Sequence, residues 1–113
     1  MARFRTIAVW ILQVLLAALF TIQGALKLSS SPGWIARFRA WGYPDHFFVA
    51  VGAAEIFGAL LLLIPKLANL GLLFLIAIMI GATATHVIHH EPQMVTTFVL
   101  LAVLSTVLYL RRT

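Results

Sequence analysis

The stretch VAVGAAEIFGALLLLIP, from Val49 to Pro65, holds one carboxylate, Glu55, in an otherwise apolar setting. A carboxyl in such surroundings can exchange a proton with a bound molecule, balance a cation, or tie helices together. Placing an ionisable side chain at the centre of a membrane helix costs about 2.5 to 3.5 kcal/mol on insertion scales, and each leucine returns only about 0.3 to 0.6. A polar contact between helices in lipid returns about 0.6 to 2 kcal/mol, which is less than that cost. Glu55 is therefore a candidate functional residue first and a structural tie second.

Partners for Glu55 come from polar residues at matching depth. Gln23 and Lys27 are four apart and share a helix face. His86 stands near the end of another apolar run, with His89, His90 and Glu91 following, and Thr96 and Thr97 open the next run. The structural alternatives are plain. Lys27 is close enough to a span end to snorkel to the headgroups, and His89 and His90 fall in a solvated turn before Pro92. His86 and His90 share the i, i+4 spacing of metal ligands, but the residue before a proline is biased away from helix, and no H-E-x-x-H pattern or second histidine group is present. No metal is assigned. No phosphate-binding loop, nucleophile elbow or Ser/His/Asp order occurs.

The elements that must hold these residues follow from composition. Of 113 residues 63% are hydrophobic and 10% charged, and the mean hydropathy is +1.06, values of a membrane protein. Four apolar stretches are read, at about 6–28, 46–64, 68–87 and 94–110, each long enough to cross a hydrocarbon core of about 30 Å. The first run is longer than the apolar region of a secretory signal and has no A-x-A site, so it is expected to be retained. There is no cysteine, which removes disulfides and thiol chemistry from this chain. The net charge of +5 reflects residues flanking the spans, and no nucleic-acid motif accompanies it. Arg3, Arg5, Lys66, Arg111 and Arg112 fall on one side, against Lys27, Arg37 and Arg39 on the other, which places both termini in the cytoplasm.

Between the first two spans, Ser31-Pro32 is a helix start and Gly42 with Pro44 a stop. This predicts a short helix over about 32–41, with Trp34, Phe38 and Trp41 on one face. The pattern suits an interfacial anchor with its aromatics in the acyl boundary, in preference to a cover over a cavity. Asp45 is placed to cap the second span. Ala50, Ala54 and Gly58 in the second span, and Ala77 and Gly81 in the third, recur at four-residue spacing and are expected to be helix contact faces.

FTIQGALKL (Phe20 to Leu28), WGYPDHFFVAVGAAEIFGALLLLIP (Trp41 to Pro65) and GATATH (Gly81 to His86) resemble the DoxX-like family of small four-helix membrane proteins. The resemblance carries over to Gln23, Gly24, Lys27, Gly42, Pro44, Glu55, Gly58 and His86. It implies association with quinol-oxidising or thiol-redox membrane systems, or an assembly role for other membrane proteins. The lack of cysteine argues against a thiol role.

The expected protein is thus an all-α, multi-pass bundle of four transmembrane helices with a short interfacial helix between the first two, in a bacterial cytoplasmic membrane. Gln23, Lys27, Glu55 and His86 would line a polar pocket for a lipid-soluble molecule with a polar head, such as a quinone, with His86 bonding a ligand carbonyl. The alternative is a non-enzymatic scaffold acting through helix contacts with membrane lipid around it, as a homo-oligomer or with another membrane protein.

Overall fold

Proline and glycine divide the chain into five helices: α1 (Ala2–Leu28), α2 (Pro32–Ala40), α3 (Phe47–Leu62), α4 (Ala68–Ile88) and α5 (Met94–Arg112). The computed structural model describes residues 2–29, 32–43, 47–92 and 94–112, and among them all regular structure is helical. The side chain of Trp34, the start at Ser31 and the roles of Pro44 and Asp45 lie outside the described residues.

Three helices are long and apolar enough to cross a membrane, over Arg3–Leu28, Ala68–Ile88 and Met94–Arg111. The expected second span at 46–64 is shorter: α3 has 16 residues, or about 24 Å. Its last turn tightens, with Leu63 N–H donating to Leu60 O at 3.1 Å and Ile64 N–H to Leu61 O at 3.2 Å. The cause is Pro65, which disfavours helix at the residue before it. A turn through Leu67 then starts α4.

α1 packs chiefly on α3, and α4 on both α3 and α5, while α1 and α5 meet over a smaller area. The apolar core joins Leu16, Ala17 and Phe20 of α1 to Ala59 and Leu62 of α3, Leu72, Leu75 and Met79 of α4, and Leu104 and Val107 of α5. Burial of apolar area gives helices in lipid no driving force, so close backbone approach must supply it. A Cβ on Gly24 would lie 2.5 Å from Gly52 O, and one on Gly52 would lie 2.8 Å from Gly24 O. α1 and α3 therefore cross with their backbones in contact. A Cβ on Gly71 would meet Leu61 Cβ at 2.8 Å and Gly58 O at 3.0 Å, which clamps α4 to α3 beside the Pro65 turn.

The expected small-residue contact faces divide. Gly58 does pack, under Leu75. Ala50, Ala54, Ala77 and Gly81 instead line a cavity, and a Cβ on Gly81 would have no atom within 4 Å. The clamp at Gly58 and Gly71 is near one end of the α3–α4 pair, and towards the other end small side chains leave the space between the helices unfilled.

Candidate functional site

The α1–α3 crossing sets the first pair. Lys27 is one turn beyond Gly24 and Glu55 one turn beyond Gly52, so each is held where the backbones are closest. Lys27 Nζ lies 2.7 Å from Glu55 Oε1, and the two residues are 6% and 2% exposed. The approach is that of an ion pair. A carboxylate has acceptor directions beyond the one that Lys27 fills. A buried pair of charges is a poor source of net stability, because desolvation offsets most of the attraction.

Beside this pair is a cavity of about 620 Å³, lined by all five helices. This falls within the range of about 300 to 1,000 Å³ found for small-molecule sites. Phe20, Met79 and Leu100 make its apolar depth; Gln23, Lys27, Glu55, Thr85, His86, Thr96 and Thr97 give it polar walls. Ala50, Ala77, Gly81 and Thr96 line it and remain exposed. The cavity is therefore open to its surroundings. All four residues expected from the sequence to form a polar pocket, Gln23, Lys27, Glu55 and His86, are on its wall.

The end of the cavity is covered by α2 and the residues after it: Arg37, Phe38, Trp41 and Tyr43. Phe38 is 6% exposed, and its ring stacks at 5.0 Å on Trp41, 5.6 Å on Tyr43 and 6.1 Å on Phe47. Phe38 and Trp41, read from the sequence as part of an interfacial anchor, both line the cavity. Helical spacing fixes which residues share a face, and the tertiary fold decides which way that face looks.

Two helix ends place this cover. α2 closes with Gly42 N–H donating to Arg39 O at 3.0 Å and Tyr43 N–H to Phe38 O at 3.1 Å, a Schellman cap with Gly42 at φ 82°. α4 closes in the same way: His90 N–H donates to Val87 O at 3.1 Å and Glu91 N–H to His86 O at 2.8 Å, with His90 at φ 54°. The second cap turns Glu91 back towards its own helix. Its Oε1 lies 2.8 Å from His86 Nδ1 and accepts from Trp41 Nε1 at 3.1 Å. Tyr43 Oη and Thr85 Oγ1 are 2.5 Å apart. Trp41 meets the His86 ring edge-on at 5.4 Å. The His86 hydrogen bond, with help from Trp41 and the charge of Arg37, holds the Glu91 carboxyl below its ordinary range.

The other histidines do not join His86 and Glu91 in one cluster. His89 Nδ1 bonds Thr85 O at 2.9 Å, His90 is exposed in the cap, and among the described residues no three His, Asp or Glu converge as a metal site would require.

Sequence reasoning missed a second polar centre at the opposite end of the bundle. Gln13, 0% exposed, donates through Nε2 to Leu62 O at 2.9 Å and accepts from Arg111 Nη1 at 2.8 Å. Arg111 also donates through Nε to Asn69 Oδ1 at 2.8 Å and through Nη2 to Pro65 O at 3.1 Å. Its guanidinium is 5.9 Å from the centre of the Trp10 ring. Gln13 in an apolar run was the available signal.

The DoxX-like family model matches residues 11–108, a span that includes the crossing, the cavity and its cover. No curated protein and no solved structure matches the chain.

Proposed function

The chain belongs to the DoxX-like family, and from that premise we propose that this integral membrane protein binds a lipid-soluble small molecule with a polar head in the cavity between its helices. A quinone is the candidate that the family resemblance brings. The protein is a binding or accessory subunit of a redox-associated membrane complex rather than a stand-alone enzyme.

One observation carries the reading: Glu55, almost wholly buried and paired with Lys27 at 2.7 Å, stands on the wall of a cavity with an apolar depth and keeps acceptor directions that Lys27 does not fill. A molecule with an apolar body and a polar head supplies what both surfaces lack. The exposed lining residues Ala50, Ala77 and Gly81 give it access from the bilayer. In the proposed orientation the end carrying Lys66 and Arg111 faces the cytoplasm, as the distribution of positive charge favours, and the cavity lies in the outer half of a bacterial cytoplasmic membrane.

The second reading, a scaffold for another membrane protein or a second copy, is favoured by the Gly24–Gly52 contact. There the Lys27–Glu55 pair would fix the register of α1 on α3. Native mass spectrometry with solvent extraction separates the two. A stoichiometric lipid-like molecule that is lost from Glu55→Gln and from the cavity-filling Gly81→Leu supports binding. An empty wild type whose subunit count falls in Glu55→Gln supports the scaffold.

A further inference from the structure

Glu91 does not line the cavity, yet it is tied to His86 twice. Its N–H donates to His86 O at 2.8 Å, and its Oε1 meets Nδ1 of the same residue at 2.8 Å. The proton in the second contact can be located from its neighbours. An indole N–H only donates, so Oε1 is an acceptor towards Trp41 Nε1 at 3.1 Å. The carboxyl is held below its ordinary range and is therefore ionised at neutral pH, when it has no proton to give. The hydrogen between Oε1 and His86 belongs to Nδ1.

A neutral imidazole carries one N–H, and the partner of that nitrogen decides what the other can do. In the neutral ring, with Nδ1–H donated to Glu91, Nε2 of His86 is an acceptor. The Glu55 carboxylate on the same wall accepts from Lys27 at 2.7 Å and has further acceptor directions. Of the donors nearby, Lys27 is paired with Glu55, Trp41 with Glu91 and Tyr43 with Thr85. Arg37 bears on Glu91 by its charge. Gln23, Thr96 and Thr97 carry both donor and acceptor atoms and discriminate little.

We infer that Glu91 is a positioning residue that fixes the His86 tautomer, and that the cavity in consequence selects amphiphiles whose polar end carries a hydroxyl donor over those that offer only a carbonyl or ether oxygen. This rests on the reading of the cavity as a ligand site, and it reverses the role expected for His86 from the sequence. At His86 Nε2 an oxygen that only accepts would meet another acceptor, and such a mismatch of buried polar groups discriminates more strongly than a mismatch of shape.

The test uses the full chain in mild detergent with 4-nonylphenol and its methyl ether, 4-nonylanisole, which share an alkyl chain and differ in the donor. Equilibrium dialysis is expected to show the phenol binding about tenfold or more tightly than the ether, the worth of one hydrogen bond in a buried site. Equal binding of the two overturns the donor preference and leaves the cavity as a ligand site. Binding of neither overturns the ligand site, and the inference with it. In Glu91→Ala the preference is expected to fall towards one, whereas an equal loss of both affinities would show Glu91 to be structural only and overturn its positioning role. The ¹⁵N spectrum of the histidine side chains, with His86 assigned through His86→Gln, is a direct readout. A protonated Nδ1 with a bare Nε2 is expected in wild type. The opposite tautomer, or both nitrogens protonated at neutral pH, overturns the inference.

Discussion

Arg111 and Gln13, 98 positions apart, are joined by a 2.8 Å hydrogen bond from Nη1 to Oε1. Through this bond the last turn of α5 is fastened to the first half of α1. The same guanidinium holds Pro65 O and Asn69 Oδ1, so one side chain binds the ends of three segments. Lysine cannot reproduce this, because an ammonium lacks the planar fork that reaches several acceptors at once. Arg111→Lys is expected to destabilise the bundle by about 1 to 3 kcal/mol. Gln13→Leu should do the same, and the double variant should lose less than the sum. Unfolding midpoints in detergent, followed by tryptophan fluorescence, check this. Additive effects would show that the two residues act separately.

The Lys27–Glu55 pair gives a prediction of a different kind. Removing one partner leaves a buried charge alone and costs about 3 to 5 kcal/mol, whereas replacing both with apolar residues of similar size is often near neutral. Lys27→Met and Glu55→Gln are each expected to lower resistance to denaturing detergent. Lys27→Met with Glu55→Leu should recover most of it while abolishing ligand binding. A double variant that still binds would remove Glu55 from the site.

Two glycines should behave oppositely. Gly52→Ala places a Cβ against Gly24 O and against Lys27 Cβ, each at 2.8 Å. α1 and α3 would have to part, so a fall in unfolding midpoint is expected together with loss of binding. Gly81→Leu enters open space, so the fold should keep its stability to within about 1 kcal/mol while the cavity loses capacity. Binding stoichiometry measured beside thermal stability distinguishes the two, and a Gly81→Leu variant that binds as well as wild type would place the ligand elsewhere.

The cover should depend on pH through Glu91. Its carboxyl is held below its ordinary value of 4.5, first by the His86 hydrogen bond. A group with a lowered pKa adds stability that is present above its unperturbed value and is lost as pH falls through the folded one. The contacts of Glu91 with Trp41 and His86 are therefore expected to hold above pH 4.5 and to weaken below it. Trp41 emission compared between wild type and Glu91→Gln reads this directly, and a transition of the same size in the variant would assign it to another group.

How much of this was legible in the sequence depended on whether the signal was local. Glu55, Lys27, Gln23 and His86 stood out because each interrupts an apolar run, and depth alone brought them to one level. The small residues were legible as a feature but not in their use: four-residue spacing marks Ala50, Ala54, Ala77 and Gly81 as one kind of surface without saying whether a helix or a cavity meets it. Gly24 and Gly52, which carry the α1–α3 crossing, have no spacing signal because they belong to different helices. Glu91 was hidden for a related reason, since only the left-handed turn at His90 brings it back to His86. Arg111 reads as a flanking charge, and nothing local pairs it with Gln13.

The shortness of α3 acts on the bilayer as well as on the fold. At about 24 Å it falls some 6 Å short of a hydrocarbon core of about 30 Å, and mismatch of this kind thins the adjacent leaflet at a fraction of a kcal/mol per Å. α1, with 27 residues, meets no such deficit, so the thinning is one-sided and falls on the flank where α3 runs beside the cavity. Headgroups and water are expected to dip towards Ala50 and Glu55 there. An amphiphile gliding in the leaflet would move its polar end a shorter way through oil to reach the carboxylate, and the membrane itself becomes part of the funnel.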